Sequence, residues 1–484
     1  MAEPDLDPGF VFRPAYTYTT KTGTWRIPPG LKRALPFYLH KPWARVGKPI
    51  RLFEYMAKHL GRIGHYKLFG IHIVFLNDPE YVREVLVNQN SSFVRERTIQ
   101  RLKILLGEGL LTSDDPTHKR SRRIAAPAFH RQRINAYADE MVRIAAHTAG
   151  GWADGAVIDM NGSMMTLSLE IVARTLFATE VDDDVREINE QTNQIMGIYN
   201  FLIAFPNAER FLHWPIPGLM KFRRARAKLD RVVNRIIATR KADGEDRKDL
   251  LSMLLLARDE DGSALSDEQL RDEVLTIFLA GYETTANALS WTWYLLAINP
   301  EVQERMAEEV AEVLGSRAAI LEDYPRLKYT TMVFAEGMRL YPPAWAMGRM
   351  STVPITIGEY HLPPRTHWFF SQYIIQRDAR FFPDPLRFDP LRHTDEEKAR
   401  RDKFAYFPFG GGQRQCIGEG FAWLEGVLLL ATLSQRWRME WIPGQPVDVE
   451  EKITLRPRFP MRMRLHARVP AAHADQDATA MLEV

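Results

Sequence analysis

The spacing of apolar and polar residues predicts a series of helices with a few short strands between them. Strand patterns are clearest on either side of Gly70, where residues 66–69 and 71–76 are rich in β-branched and aromatic side chains and predict a hairpin. Asp78 and Pro79 then supply the start signals of a helix. Apolar residues at helical spacing predict further helices within 167–172, 191–205 and 221–241.

Loops and strands are predicted in three further regions. Residues 88–115 contain Gly107 and Gly109 and lack a steady period, which predicts a long loop with one helical turn. Loops of this length in a compact domain are usually functional. Residues 355–375 predict strands around a double-proline turn, and residues 455–465 alternate around two prolines and predict a second hairpin.

The longest pattern is a helix that begins at a capping box, Ser266 with Gln269 three residues later, and ends at Asn299 before a proline. Its length of about 32 residues corresponds to about 48 Å of α-helix. The middle of this helix, residues 280–285, reads Ala-Gly-Tyr-Glu-Thr-Thr. A glycine and two threonines weaken a helix and predict a local kink. The acid and hydroxyls either reach solvent and backbone carbonyls or serve a chemical role, because burying them without partners is costly.

The chain of 484 residues contains a single cysteine, Cys416, which follows three consecutive glycines at 410–412 and precedes an apolar run with helical spacing. Glycines permit tight turns and a close approach of the backbone. A position at the start of a helix, two residues after Arg414, favours a thiolate over a thiol. The thiolate is the form that binds metal or attacks an electrophile.

Three interpretations of Cys416 follow from the residues. A buried cysteine that acts as a small hydrophobe needs no glycine run beside it. A catalytic nucleophile needs a base, and the nearest upstream histidine, His393, lies in a segment without a nucleophile-elbow pattern. The third interpretation is an axial thiolate on haem iron, where the glycines would let the loop lie flat against the porphyrin.

Around Cys416 the sequence resembles the cytochrome P450 family. The haem-binding signature of that family is matched in full by Phe409, Gly412, Arg414, Cys416 and Gly418. The resemblance covers roughly residues 60–468, carries five motifs in the order of the family, and favours the haem-thiolate interpretation. It implies a mainly α-helical fold with small β-sheets, shaped as a triangular prism with a long central helix over the haem.

The resemblance also implies how the haem and oxygen are handled. His118 and Arg122 match a family pair that contacts a haem propionate, and their spacing places both on one helix face. Lys119, Arg120 and Arg123 would then face outward. Arg349 falls where relatives place another propionate-binding arginine. Residues 280–285 match the oxygen-activation motif, in which Glu283 relays protons and Thr284 assists through a water.

A structural triad is a further implication of the resemblance. Glu336 and Arg339 lie one turn apart at the end of a helix stopped by proline, and they match the Glu-x-x-Arg motif of the family. The third member is an arginine from a later segment. Arg392 is the first candidate, but its flanking residues depart from the family pattern, so Arg387 remains an alternative.

Composition sets further limits. Hydrophobic residues make up 45% and charged residues 26%, as in an ordinary globular protein. We expect a proline-rich N-terminal arm over 1–49, a single haem-binding domain over 50–470 and a flexible tail over 471–484. The net charge of +3 is too small to indicate nucleic-acid binding. The arm shows no transmembrane anchor and no signal peptide, so a cytoplasmic protein is expected, and we expect it to be a monomer.

The implied reaction is insertion of one oxygen atom from O2 into a lipophilic substrate, with heme b as cofactor. One cysteine cannot hold an iron-sulfur cluster, so electrons would come from NAD(P)H through a separate ferredoxin with its reductase, or a flavodoxin. The basic residues around 119–123 and Arg414 suggest docking of an acidic donor. A peroxide-dependent haem-thiolate enzyme and a haem-thiolate sensor or carrier are the alternatives.

The substrate is not identified by these residues. A fatty acid, a terpenoid or a similar aliphatic compound fits, and an extended aliphatic chain is the leading candidate. The resemblance suggests a mostly apolar pocket. Its predicted members are Leu105, Leu106, Phe201, Ile277, Ala280, Ala344, Trp345 and Phe459.

Overall fold

A computed structural model of the chain describes residues 12–32, 49–68, 70–179, 187, 190–192, 194–195, 214–258 and 262–468. These residues form two compact units, each assembled from separate stretches of chain. Unit 1 comprises the described residues of Met1–Leu102, Ala344–Arg387 and Lys398–Cys416, and unit 2 those of Lys103–Pro343, Phe388–Glu397 and Ile417–Val484. The single domain over 50–470 stays a prediction, and the predicted tail over 471–484 lies outside the described residues.

Most of the regular structure is helical. The α-helices are α1 (Pro49–Leu60), α2 (Pro79–Arg83), α3 (Arg97–Arg101), α4 (Lys103–Leu106), α5 (Thr117–Ala125), α6 (Arg131–Asn135), α7 (Ala138–Gly150), α8 (Met160–Leu176), α9 (Pro217–Asp243), α10 (Leu250–Leu256), α11 (Asp267–Ile298), α12 (Pro300–Leu314), α13 (Lys328–Leu340), α14 (Gln372–Ile375), α15 (Asp395–Ala399) and α16 (Glu419–Arg436). A π-helical turn follows α2 at Glu84–Asn88, and shorter 3-10 turns include Pro390–His393 and Gly412–Arg414.

The strands are short. They are β1 (Phe12–Arg13), β2 (Tyr16–Thr20), β3 (Gly23–Ile27), β4 (Gly30–Leu31), β5 (Ile63–Leu68), β6 (Ile71–Leu76), β7 (Phe93–Arg95), β8 (Val157–Asp159), β9 (Met347–Ser351), β10 (Ile355–Ile357), β11 (Tyr360–Leu362), β12 (His367–Phe370), β13 (Trp437–Trp441), β14 (Val449–Glu451), β15 (Leu455–Pro457) and β16 (Arg462–Ala467). Unit 1 holds a seven-stranded sheet in the order β1-β4-β5-β6-β12-β9-β7 and a four-stranded sheet in the order β10-β11-β3-β2. Unit 2 holds the sheets β13-β16-β8 and β14-β15.

The hairpin predicted around Gly70 is confirmed in unit 1. Strands β5 and β6 pair antiparallel from Ile63 opposite Leu76 to Leu68 opposite Ile71. Side chains of both sheets bury a common core that includes Trp25 and Trp368. The segment 1–49 contributes β1 to β4 to these sheets, which its proline content did not predict.

Unit 2 is built around the long helix α11. It runs from Asp267 to Ile298 without interruption, including the stretch where a kink was predicted. The predicted capping box is confirmed, because the Ser266 hydroxyl accepts a hydrogen bond from the Gln269 N–H and the Gln269 side chain accepts one from the Ser266 N–H. Helix α8 packs along α11, and most α11 side chains are buried.

Two further sequence predictions are wrong. Residues 88–115 are more regular than a long loop, because they contain β7, α3 and α4. Residues 455–465 form no hairpin with each other, since β15 pairs with β14 while β16 pairs with β13 and β8. An alternating pattern predicts a strand, but it does not specify which strand will be its partner.

The remaining helix predictions have different outcomes. The amphipathic helix predicted within 221–241 is confirmed as α9, with Leu229, Val232 and Ile236 among its buried residues. The helix predicted over 191–205 lies mostly outside the described residues. In the part of the chain that the structure describes, no helix is both long enough and apolar enough to cross a bilayer.

Candidate active site

The cysteine loop lies in unit 1 and is fixed by its own backbone. The Cys416 N–H donates to the Phe409 carbonyl over 3.0 Å, and the Gly410 N–H donates to the Phe407 carbonyl over 2.9 Å. Helix α16 begins at Glu419, three residues after the cysteine, with Gly418 as its N-cap. The Cys416 side chain is exposed, and Phe409 and Arg414 are half-buried. The loop therefore presents an accessible sulfur on a fixed backbone.

Gly412 shows why this loop requires glycine. Its φ of +69° lies in the left-handed region, which other residues rarely adopt. A side chain there would overlap the Leu86 carbonyl of the π-helical turn. The loop thus packs directly on the backbone of unit 1, and the approach depends on the missing Cβ.

Two buried arginines lie opposite each other in unit 1. Strands β7 and β9 pair antiparallel with Arg95 in register with Arg349, so both side chains leave the same face of the sheet. The Arg349 Nη1 donates to the Gly348 carbonyl over 2.9 Å. Like charges directly opposite each other are unfavourable, so this pair suits a negatively charged group. Arg95 was not among the sequence-predicted residues.

His118 and Arg122 lie on α5 in unit 2, one turn apart. His118 is buried and its Nδ1 is 3.4 Å from Asp115, whereas Arg122 is half-buried. Lys119 is exposed and pairs with Asp115 over 3.0 Å. Arg120 was predicted to face outward with Lys119 and Arg123, but it is half-buried, and its charge lowers the pKa of Glu273 against the larger raising effect of burial.

The middle of α11 has a narrow accessible face. Ala280 is exposed and Gly281 and Thr284 are half-buried, while the residues around them on this helix are buried. The Thr284 hydroxyl donates to the Ala280 carbonyl over 2.8 Å, and the Thr285 hydroxyl donates to the Gly281 carbonyl over 3.3 Å. Both threonines bond back to the helix, yet the Thr284 oxygen keeps lone pairs that can accept a hydrogen bond.

Glu283 points into the protein rather than to solvent. Its carboxylate accepts a hydrogen bond from the Arg456 Nε over 2.8 Å and another from the Thr454 hydroxyl. Burial raises the pKa of Glu283, but the charge and hydrogen bond of Arg456 outweigh it, so the pKa lies below its usual value. Glu283 is therefore an anchored carboxylate that ties α11 to the segment of β15.

A second buried carboxyl faces α11 from helix α16. Glu425 is fully buried, and the hydroxyls of Ser168 and Thr285 face it. Burial raises the pKa of Glu425 to about 8, so the group is mostly protonated at neutral pH. Sequence reasoning did not single out this residue.

Glu336 is the centre of a buried charge network in unit 2. The Arg339 Nε and Nη2 donate to the two Glu336 oxygens over 2.7 and 2.8 Å, and both residues are fully buried. Arg392 Nε lies 3.5 Å from the same carboxylate. Burial raises the pKa of Glu336, but the hydrogen bonds of Arg339 and His393 lower the pKa by more than burial raises it. Glu336 is therefore ionised at neutral pH.

His393 is a member of this network that the family pattern did not predict. Its Nε2 lies 2.9 Å from Glu336 Oε2, and the Asp389 N–H donates to Glu336 Oε1 over 3.0 Å. The 3-10 turn Pro390–His393 brings Arg392 and His393 to the carboxylate together. The departure from the family pattern at this position thus adds a contact to Glu336. Arg387, the alternative to Arg392, belongs to unit 1.

The predicted pocket residues differ in exposure. Leu105, Leu106 and Ile277 are buried in unit 2, where α4 packs on α11. Ala344 and Trp345 are half-buried in unit 1, and Trp345 lies beside Phe53. Phe459 is 40% exposed. Phe201 lies outside the described residues.

Comparison with known proteins decides the family. The family model for cytochrome P450 matches residues 28–461, which is most of the chain. The chain belongs to the cytochrome P450 family. The fold predicted from the sequence, mainly helical with small sheets, is confirmed.

Named relatives place this P450 among monooxygenases. The chain is 37% identical to cyclooctatin synthase of Streptomyces melanosporofaciens over 86% of its own length and 91% of the relative. It is 36% identical to cyclooctat-9-en-7-ol 5-monooxygenase of the same species, over 82% and 86% of the two chains. It is 32% identical to pentalenene oxygenase of Streptomyces avermitilis, over 90% and 97%. The chain is a P450 monooxygenase.

The residues present fit the heme b that P450 enzymes use. An exposed thiol on a fixed glycine loop would suit a ligand of the haem iron, and the Arg95 and Arg349 pair would suit the carboxylates of the cofactor. Bound haem supplies the iron that activates O2, with electrons from NAD(P)H delivered through redox partners. The protein's part is to hold the cofactor, exclude water and move protons.

Proposed function

We propose that this P450 hydroxylates a terpenoid and takes its electrons from a separate ferredoxin or flavodoxin. The observation that carries the substrate class is the similarity, over more than four fifths of the chain, to enzymes whose names specify cyclooctat-9-en-7-ol and pentalenene. These names favour a terpenoid over the extended aliphatic chain that the sequence suggested. Buried apolar side chains at Leu105, Leu106 and Ile277 support a substrate of low polarity.

In this proposal the chain's own groups have distinct tasks. Cys416 would bind the iron, and Arg95 and Arg349 would neutralise cofactor carboxylates, the role that the resemblance assigns to His118, Arg122 and Arg349. Thr284 directs its hydrogen to the Ala280 carbonyl, so its oxygen is left to orient a water on the accessible face of α11. Because Arg456 holds Glu283 as a carboxylate, that group can relay a proton only when it leaves the ion pair.

The experiment that tests the substrate class is a titration of the haem-loaded protein monitored by the spin-state change of the iron. Pentalenene and a straight-chain fatty acid are compared as probes. We expect saturable conversion with the terpene and a weaker response with the fatty acid. Turnover with ferredoxin, reductase and NADPH should then add one oxygen atom to the terpene. Tighter binding of the fatty acid, or turnover with hydrogen peroxide but none with ferredoxin, reductase and NADPH, would contradict the proposal.

Replacing Thr284 with alanine is expected to uncouple the reaction. The variant loses the oxygen that we propose orients the water, while the helix, haem and substrate binding are kept, so electrons are diverted to hydrogen peroxide. The measurement is the ratio of product to NADPH consumed, which should fall about 100-fold or more, as losing a general acid-base route does. Thr285→Ala is the matched control, because its hydroxyl faces the buried Glu425. Equal coupling in wild type and Thr284→Ala would rule out the assigned role.

A further inference from the structure

The first half of α11 buries three consecutive charged residues that the proposed chemistry does not use. Arg271, Asp272 and Glu273 are each less than a tenth exposed. Three charged side chains in a row cannot all lie on the solvent side of a helix, and burying them is unfavourable unless each finds a partner. Their partners show what this part of α11 does.

All three side chains bind the backbone of one segment, residues 105–110. The Glu108 N–H donates to Asp272 Oδ2 over 2.8 Å, and the Leu110 N–H donates to Glu273 Oε2 over 3.0 Å. The Arg271 Nη2 donates to the Leu105 carbonyl over 3.0 Å. Contacts to backbone groups fix the path of a segment whatever its side chains are. We call Arg271, Asp272 and Glu273 the clamp.

The segment fits the clamp only because it carries two glycines. Gly107 has a φ of +58°, and a Cβ there would overlap the Asp272 carboxylate. A Cβ on Gly109 would overlap the Thr276 hydroxyl. The Thr112 hydroxyl donates to the Gly107 carbonyl over 2.7 Å and closes the turn from the other side. Both glycines are therefore explained by the close approach to α11.

The clamp is itself held in place. Arg271 pairs with Asp272 over 2.8 Å and with Asp230 of α9. The Ser121 hydroxyl and the Arg120 guanidinium face Glu273 from α5. Charged groups with several partners each lose rotational freedom, so the clamp is a rigid support for the segment.

The clamped segment and the accessible face of α11 are joined by one helix. Ile277 lies four residues after Glu273, Ala280 three residues later and Thr284 four residues after that, so all lie along one side of α11. Eleven residues separate Glu273 from Thr284, which is about 16 Å of helix. Leu105 and Leu106 are buried where α4 packs on α11. The helix thus fixes the distance between these leucines and Thr284.

We propose that the clamp positions the Leu105–Leu110 wall of the substrate pocket and so determines which carbon of the terpenoid is hydroxylated. This inference rests on the proposed function, since it needs a substrate beside Leu105 and Leu106. A displacement of about 1 Å changes reaction rates about 100-fold, so a wall that shifts by that amount changes the preferred carbon. Arg271, Asp272 and Glu273 are positioning residues.

The test compares Asp272→Ala and Asp272→Asn with wild type as haem-loaded, full-length protein. Glu268→Gln is the matched control, because Glu268 is an exposed acid in the first turn of the same helix. Two quantities are measured: hydrogen exchange of the amides in residues 103–113, and the ratio of oxygenated products from the terpene that wild type accepts. The carbon monoxide difference spectrum and the melting temperature report whether each variant is folded and loaded.

We expect Asp272→Ala to speed exchange of the Glu108 amide about tenfold, the effect of losing one hydrogen bond, and to change the product ratio. Asp272→Asn keeps an acceptor oxygen, so its Glu108 exchange rate and its product ratio should both lie close to those of wild type. Glu268→Gln should match wild type in both. If Asp272→Ala fails to load haem, Glu273→Gln replaces it, with the Leu110 amide as the reporter. Unchanged exchange, or faster exchange with an unchanged product ratio, overturns the proposal.

The same experiment separates this inference from the proposed function. If wild type binds no terpenoid, the proposed function fails, and the product ratio is measured on whichever substrate wild type converts. If wild type converts the terpenoid and the Asp272 variants give the same products as wild type, the clamp has no role in selectivity and the proposed function stands.

Discussion

Replacing Glu336 with alanine is expected to lower the free energy of unfolding by about 3–5 kcal/mol, the cost of removing one partner from a buried ion pair. Arg339 is fully buried, and both hydrogen bonds of its guanidinium to Glu336 would be lost. His393 and the Asp389 N–H would lose the same acceptor. Because a typical domain is stable by only about 5–15 kcal/mol, we expect the variant to retain little folded, haem-loaded protein at 37 °C.

Chemical denaturation of the purified protein measures this loss, and the chain offers a matched control. Glu140 and Arg143 have the same i, i+3 spacing on α7 and pair over 2.6 Å, but at the surface. Glu140→Ala should cost no more than about 0.5 kcal/mol, as exposed helix pairs do. A loss of similar size in both variants would show that the burial of Glu336 does not determine how much it contributes to the free energy of unfolding.

The pH dependence follows from the direction of the pKa shift. The pKa of Glu336 in the folded protein lies below its ordinary value of 4.5, so the folded state binds fewer protons than the unfolded state in acid. The stability contributed by Glu336 is therefore fully present above about pH 4.5 and is lost as the pH falls through the folded pKa. The part of the difference between wild type and Glu336→Ala that comes from ionisation of Glu336 should be constant above about pH 4.5 and shrink only in acid.

Local signals explain what the sequence predicted well. The capping box at Ser266, the proline after Asn299 and the hairpin around Gly70 are each encoded within a few residues, and each was found where expected. Caps and turns depend on the backbone groups next to them, so neighbouring residues suffice to predict them. The tight turn and close backbone approach of the cysteine loop were predicted from the same kind of signal, the glycines at 410–412.

Contacts between distant segments explain what the sequence did not show. Glu283 was singled out, but Arg456, which holds it, lies 173 residues away in the sequence. Arg95 faces Arg349 only because β7 pairs with β9, and His393 reaches Glu336 only because a 3-10 turn carries it there. No periodicity relates residues that lie so far apart in the sequence. A single sequence therefore shows which reactive side chains are present but not which residues contact them.

The clamp combines a local signal that the sequence shows with distant partners that it does not show. Gly107 and Gly109 interrupt the periodicity of residues 88–115, which predicts a loop. The structure gives the physical reason for the glycines, which is contact with Asp272 and Thr276 of a helix more than 160 residues later. A glycine in the sequence indicates a close approach or a positive φ, but it does not identify what approaches.

Replacing Cys416 with serine is expected to abolish monooxygenase activity while leaving the fold intact. Cys416 is exposed, and its backbone N–H bond to Phe409 does not involve the side chain, so exchanging sulfur for oxygen removes little packing. The thiolate would be the electron-rich ligand of the haem iron, and a serine hydroxyl is not ionised at neutral pH and would not replace it. The loss should exceed the about 10- to 100-fold that a group supporting a metal ligand contributes, since the ligand itself is removed.

The measurement is the absorption spectrum of the reduced protein treated with carbon monoxide, together with product formation. Wild type should show the red-shifted Soret band that indicates thiolate coordination, and Cys416→Ser should lack it. Gln413→Ala is the control, because Gln413 is exposed on the same loop and should keep both the band and the activity. The chain has no second cysteine that could replace the lost ligand. A retained red-shifted band in Cys416→Ser would therefore mean that the iron is held by something other than a protein thiolate. That result would contradict the assignment of Cys416 as the iron ligand.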